Sequence, residues 1–210
     1  MLVFDASGSM AGTDWGKGFA PRIARVKEAL EIVLPRVTPV RNVGLIVYGP
    51  GPYNKCDNIE LRLQPQRHSS QRIMRDISAL VPAGRTPLTT AVRHAADVLV
   101  YRERPAVIVL LTDGEETCGG APCQLARLLK SQAKDLTIHV IGYAPRGAGD
   151  AVWKSRCMAE ETAGLYVSVE TTEELIDALQ KTLACPLVSM RDEGQAASDT
   201  GDLNPSSSAR

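Results

Sequence analysis

The chain has 210 residues, 44% hydrophobic and 23% charged, which places it in the ordinary globular range with enough apolar residues for one substantial core. Its 24 Lys and Arg balance 24 Asp and Glu, and no run of basic residues stands out, so nothing recommends a nucleic-acid partner. The longest apolar run, residues 106–112, covers about a third of the roughly 20 residues needed to cross a bilayer, and no transmembrane segment is expected in it.

Residues 1–4, Met-Leu-Val-Phe, read as a strand beginning at the first position, with no basic stretch, apolar signal region or cleavage site ahead of it. Two alternatives follow: a chain that begins upstream, a signal peptide having been removed, or a strand that is short as it stands. Helical spacing comes next at Ile23, Val26, Leu30 and Val33, and then an apolar strand over 43–48. Residues 58–66 alternate Ile59, Leu61 and Leu63 with polar neighbours, as an edge strand does, and the short connection from residue 48 makes it antiparallel. Helices follow through Ile73, Ile77 and Leu80 and through Leu88, Val92, Ala96 and Leu99, then a strand over 106–112. A helix through Leu125, Leu128 and Leu129, strands over 136–143 and 165–169, and a helix through Leu175, Ile176, Leu179 and Leu183 complete the pattern. Pro21 and Pro87 suit first helical positions, and Thr171 with Glu174 forms a capping-box signature.

Continuous apolar strands separated by amphipathic helices predict a doubly wound α/β fold: a mainly parallel sheet with one antiparallel edge strand, right-handed crossovers, and helices on both faces. This domain is expected over residues 1–185. Beyond Pro186 the apolar pattern stops, and the Ser-, Gly-, Asp- and Ala-rich residues up to 210 read as a disordered tail or linker, so the boundary is set at 186–210.

In open α/β sheets ligands sit outside the carboxyl ends of strands, which directs attention to the residues following each strand. The first strand runs into Asp5-Ala6-Ser7-Gly8-Ser9, and the strand over 106–112 into Asp113-Gly114-Glu115. Asp5, Ser7 and Ser9 are spaced by two with Gly8 permitting a tight turn, so their oxygens can converge on one point, as Mg²⁺ requires.

Asp5-x-Ser7-x-Ser9 after an apolar strand, Gly84-Arg85-Thr86-Pro87-Leu88 before a helix, and Thr112-Asp113-Gly114 after a second strand together resemble the von Willebrand factor type A domain, over roughly residues 1–184. The resemblance implies a Rossmann-like fold and a metal-ion-dependent adhesion site whose ligands match Asp5, Ser7, Ser9, Thr86 and Asp113 here. It also implies a bound Mg²⁺, with Mn²⁺ or Ca²⁺ as alternatives, and a protein partner whose Asp or Glu binds through the metal. Two carboxylates and three neutral hydroxyls leave an octahedral ion short of ligands, in agreement with such a use. Thr86 also reads as a helix N-cap before Pro87, and Glu115 and Glu116 could repel an acidic partner. The wording of residues 84–89 and of Thr117-Cys118-Gly119-Gly120 is similar to bacterial, often exported members, which implies a periplasmic or extracellular location, with the cytoplasm as the alternative.

The five cysteines contain no Cys-x-x-Cys pair and His68, His94 and His139 are scattered, so no zinc cluster is expected. Cys118 and Cys123 are near enough in sequence to bridge and stiffen the segment after Asp113, or are free thiols of a cytosolic protein; the resemblance favours the oxidised form. Cys56, Cys157 and Cys185 leave an odd count, with Cys56 to Cys157 a candidate second bridge. Trp15 and Phe19, and the loop carrying Tyr53, Asn54 and Lys55, are expected near the site or its rim, where an aromatic residue can anchor a partner, with packing on the sheet as the alternative for Trp15.

A non-catalytic, metal-dependent protein-binding module is therefore the leading expectation. The alternative is a Mg²⁺-dependent phosphotransferase or phosphatase using Asp5 as nucleophile, but such an enzyme needs a second acid two residues on, where Ser7 stands, and no phosphate-cradling Gly-rich loop is present. A purely structural role is the third possibility.

Overall fold

The apolar runs form the middle of one six-stranded sheet, in the order β3-β2-β1-β4-β5-β6. The computed structural model describes residues 1–13, 20–143 and 154–184. Its strands are β1 (Leu2–Asp5), β2 (Val43–Tyr48), β3 (Ile59–Gln66), β4 (Ala106–Thr112), β5 (Leu136–Tyr143) and β6 (Tyr166–Val169). All neighbours are parallel except β2 and β3. The central strands β1 and β2 are buried along their whole length, whereas β3 alternates, as an edge strand with one wet face must.

Among the described residues six helices cover the sheet: α1 (Arg22–Val37), α2 (Ser70–Ser78), α3 (Leu88–Val98), α4 (Pro122–Gln132), α5 (Arg156–Glu161) and α6 (Thr172–Ala184). The two-residue period of β1 separates the layers. Leu2 and Phe4 pack with Val26, Leu30 and Val33 of α1, Ile73 and Ile77 of α2, and Leu175 and Leu179 of α6. Met1 and Val3 face the other way, toward Leu88 and Val92 of α3, Leu125 and Leu129 of α4, and Met158 of α5. Each Leu or Ile buried in this way contributes on the order of 2 kcal/mol.

The topology places the crevice. From β1 the chain passes through α1 to β2 on one side, and later through α3 to β4 on the other, so the connections diverge at the carboxyl ends of β1 and β4. Asp5 is the last residue of β1, and Asp113 directly follows β4.

Two elements escape the sequence pattern: α5, too short to display a helical period, and a single 3-10 turn at Gly8–Ala11. Pro21 and Pro87 stand one position ahead of α1 and α3, as N-caps, rather than inside them. The capping box of α6 forms as expected, Glu174 N–H donating to Thr171 Oγ1 (3.1 Å) while Glu174 Oε2 accepts from the N–H groups of Glu170 (2.7 Å) and Thr171 (3.3 Å). Trp15, Phe19, Cys185 and the tail over 186–210 lie outside the described residues.

Candidate functional site

Asp5 ends a buried central strand, so its carboxylate has no water to solvate it and must find donors within the protein. Oδ1 accepts from the Ser7 N–H (2.8 Å), while Oδ2 accepts from Tyr48 OH (2.9 Å) and Thr112 Oγ1 (2.7 Å). Parallel pairing of β1 with β2 sets Asp5 beside Tyr48, which is why an aromatic hydroxyl at the end of the neighbouring strand reaches it. Asp113 divides its oxygens similarly. Oδ1 accepts from Ser9 Oγ (2.6 Å) and Oδ2 from Arg22 Nη1 (2.9 Å). Ser7 Oγ lies 3.0 Å from Ser9 Oγ, so a line of oxygens runs from the Asp5–Ser7 turn through Ser9 to Asp113. Thr86 is buried and lines the same cleft of about 240 Å³ as Ser7 and Ser9.

Backbone contacts hold the loops together. Gly8 N–H donates to Gly84 O (2.9 Å) and Gly84 N–H to Gly49 O (2.7 Å), linking the turn after β1, the loop before α3 and the turn after β2. Gly49 has φ +85°, and a Cβ there would lie 2.6 Å from Ser7 N and 2.8 Å from Arg85 O, so this packing requires a glycine on both conformational and spatial grounds. Thr86 is fixed by two bonds to Thr117: its N–H donates to Thr117 Oγ1 (2.8 Å), and its carbonyl accepts from Thr117 N–H (3.1 Å). Glu116 accepts from Thr89 N–H (2.8 Å) and Cys118 N–H (2.7 Å), satisfying an open donor in the first turn of α3. Glu115 pairs with Lys154 (2.9 Å). Glu115 is thus ion-paired, whereas Glu116 keeps its charge among backbone donors.

Burial pushes the Asp113 carboxyl up to about 6, the Asp5 charge adds to the rise, and Ser9 and the Arg22 guanidinium oppose it. Burial likewise raises Asp5 against its hydrogen-bond donors Ser7, Thr112 and Tyr48. Tyr48 is held well above the usual phenol range by burial and by the neighbouring Asp5 charge. Two desolvated carboxylates in one cluster are costly as anions, and a cation among them would offset that cost. The oxygen-only donors of Asp5, Ser7, Ser9, Thr86 and Asp113 suit a hard divalent ion such as Mg²⁺. Among the described residues no three His, Cys, Asp or Glu side chains come together; the acids here stand as two carboxylates among hydroxyls.

The disulfides differ from the expected pairing. Cys56 bonds Cys118 and Cys123 bonds Cys157, with Cα separations of 5.7 and 5.3 Å, in place of Cys118–Cys123 and Cys56–Cys157. Glu116 holds the Cys118 backbone beside the loop after β2, whereas Pro122 starts α4 and carries Cys123 toward α5. The first bridge therefore joins the loop after β2 to the loop after β4, and the second joins the first turns of α4 and α5. Tyr53 is 78% exposed and lines the cleft with Arg85 and Thr117, as the rim expectation required. Tyr48, Thr112, Arg22, Thr117 and Glu116 were not marked as supporting residues by the sequence; the position of Tyr48 and Thr112 as the last residues of their strands is the signal that could have found the first two.

Residues 1–116 match the family model described as the von Willebrand factor type A domain. The uncharacterised protein YwmD of Bacillus subtilis (strain 168) is 26% identical over 189 residues, covering 86% of this chain and 82% of YwmD. Among solved structures, an aerotolerance-related membrane protein from Bacteroides fragilis NCTC 9343 is similar with a TM-score of 0.65 and 20% identity, over 87% of this chain and 96% of that one. Proximal thread matrix protein 1 from the mussel byssus, in a structure described as having a zinc-occupied MIDAS motif, gives a TM-score of 0.58 and 16% identity, over 87% of this chain and 43% of that one.

Proposed function

The chain belongs to the von Willebrand factor type A domain family, a family of protein-interaction modules, and on that premise we propose that it binds a protein partner through a divalent ion held by Asp5, Ser7, Ser9, Thr86 and Asp113. The observation that carries the reading is the buried pair Asp5 and Asp113 joined through the hydroxyls of Ser7 and Ser9. Mg²⁺ is the ion the oxygen donors favour, with Mn²⁺ and Ca²⁺ as alternatives. The zinc-occupied motif of the mussel protein supports metal binding on this fold without deciding the metal. When bound, the ion would supply a Lewis-acidic position for an oxygen from outside the chain, and an exposed Asp or Glu of the partner is the donor we assign to it.

The chain's own residues do the rest. Tyr48 and Thr112 hold Asp5, Arg22 and Ser9 hold Asp113, and the Thr86–Thr117 bonds fix the third loop. Tyr53 and Arg85 border the cleft beside them, where a partner's flanking residues would rest. The phosphotransferase reading loses support from the same geometry, since both oxygens of Asp5 are engaged and the residue is fully buried, which leaves a poor nucleophile. The two disulfides support an oxidising location, periplasmic or extracellular. We assign residues 1–185 to the domain and 186–210 to a tail or linker.

Thermal melting with Mg²⁺ or Mn²⁺ against EDTA tests the ion, because a ligand at one hundred times its Kd stabilises the folded state by about 2.7 kcal/mol. The expected result is a higher melting temperature with the ion, abolished in Asp5→Ala. Partners captured in Mg²⁺ should elute with EDTA. A melting temperature indifferent to both ions, or capture unchanged by EDTA and by Asp5→Ala, would refute the proposal.

A further inference from the structure

Cys56 sits in the loop after β2 among exposed neighbours, Tyr53, Asn54, Lys55 and Asp57, and its partner Cys118 lies between the exposed residues Thr117 and Gly119. Both cysteines are half-buried, so a reductant can reach the bridge, which stands beside the cleft that Tyr53, Arg85 and Thr117 line. The loop is held at its ends, Pro50 pairing with Pro82 and Asn58 O accepting from Gly49 N–H (2.9 Å). Its middle is fastened by little else. Among the described residues the hydrogen bonds of residues 52–57 stay within the loop, Lys55 N–H to Pro52 O (3.2 Å) and Ile59 N–H to Asp57 O (2.8 Å), apart from an approach of Arg85 Nη1 to Cys56 Sγ at 4.0 Å. The disulfide is therefore what ties the part of the loop bearing Tyr53 to the loop after β4.

The oxygen donors do not depend on that tie. Asp5, Ser7, Ser9 and Asp113 are joined to one another and to Tyr48 and Thr112, and Thr86 is held twice by Thr117. The second bridge stands in a firmer setting. Cys123 and Cys157 are in the first turns of α4 and α5, whose Leu125, Leu129, Met158 and Ala159 share one core, and Arg127 pairs with Glu161 between the two helices (3.3 Å). Thiols kept close by such packing have a high effective concentration and re-form their bridge, whereas Cys56 moves away once it is cut. We propose that the Cys56–Cys118 bridge is a reduction-sensitive clamp on the partner-facing wall of the cleft: opened, it releases the loop that carries Tyr53 and leaves the five oxygen donors in place. The inference rests on the functional reading above and adds its regulation. An external dithiol does the opening. One of its sulfurs forms a mixed disulfide with one cysteine and expels the other; its second sulfur then displaces the first, so the bridge gains two electrons and two protons and the dithiol leaves as a disulfide.

Stepwise dithiothreitol on the folded, oxidised chain, with iodoacetamide trapping and peptide mapping, tests the order of opening. Cys56 and Cys118 are expected to be labelled at lower dithiothreitol than Cys123 and Cys157. In the singly opened chain, shown by circular dichroism to be folded, hydrogen exchange over residues 53–57 and trypsin cleavage after Lys55 should rise severalfold. Exchange over residues 84–89 and Mg²⁺ affinity by calorimetry should stay as in the oxidised chain. Cys123 and Cys157 opening first, a singly opened chain that unfolds, a loop that exchanges no faster, or Mg²⁺ affinity that falls with the bridge would each overturn the clamp while leaving the metal-dependent function standing. A chain that takes up no Mg²⁺ in either state would overturn the functional reading, and with it the place of the clamp beside an ion site.

Discussion

Replacing Gly49 by alanine should destabilise the protein by about 2–5 kcal/mol. The backbone there has φ +85°, a left-handed conformation that costs an ordinary residue about 1–2 kcal/mol. The added Cβ would also stand 2.6 Å from Ser7 N, 2.8 Å from Ser7 Cα and 2.8 Å from Arg85 O. All three are backbone atoms, so no side chain can rotate away, and forced displacement in a packed region adds roughly 1–3 kcal/mol. Gly119 supplies the internal control, since it has φ +76° but nothing within 4 Å of an added Cβ. Gly119→Ala should therefore incur only the conformational cost, about 1–2 kcal/mol. Urea denaturation of the oxidised proteins, compared at equal m-values, measures both. Because the displaced atoms belong to Ser7, Gly49→Ala should also weaken the proposed Mg²⁺ binding, which Gly119→Ala should not. If the two variants lost stability to within about 0.5 kcal/mol of one another, the close approach of the turn after β2 to the Ser7 backbone would not be what constrains Gly49.

The carboxyl of Asp113, pushed up to about 6 in the folded protein, binds a proton more readily than in the unfolded chain. Its contribution to stability is accordingly present below its ordinary value of 3.8 and lost as pH rises through about 6; in EDTA, melting at pH 5 should exceed that of the ion-free protein at pH 7, and Asp113→Asn should reduce the difference. On the proposed metal-binding reading, protons and the ion would compete for the same carboxylates, so Mg²⁺ affinity should fall as pH drops below about 6, as calorimetry across that range would measure. Reduction should release two pairs of thiols, Cys56 with Cys118 and Cys123 with Cys157, identifiable by differential alkylation and peptide mapping. Loops of 62 and 34 residues are closed by these bridges, worth about 4 kcal/mol each in the chain-entropy model, so a reduced protein should unfold at markedly lower urea.

The parts of this fold that repeat along the chain were legible. Apolar runs over 43–48, 106–112 and 136–143 coincide with β2, β4 and β5, because a doubly covered strand must be apolar throughout. The wet face of β3 was equally plain from its alternation. Asp5, Ser7, Ser9 and Asp113 could be singled out as candidates because they lie at or just beyond strand ends, which the topology brings together. What stayed hidden are contacts between loops. Arg22 is 91 residues from Asp113, and no periodicity announces that a helix's first residue will reach across the crevice. Glu116 was marked for its charge alone, and its oxygens accept from backbone donors of α3 and of its own loop. The cysteine pairing failed for the same reason: nearness along the chain favoured Cys118 with Cys123, while the turn through Gly119 and Gly120 sends them to different neighbours.

The oxygen cluster is assembled across long stretches of chain, with Thr112 and Asp5 separated by 107 positions and Ser9 and Asp113 by 104. Closing loops of that length carries an entropic penalty that must be met before the contacts repay it, so we expect the cluster to form late in folding. Until β4 docks against β1, the Asp5–Ser9 turn and the Asp113 loop have no fixed relation, and a partly folded chain presents neither half in usable form. On the proposed reading, ion uptake would report completion of the sheet's centre, and a chain arrested before that step would bind neither the ion nor an acidic group through it.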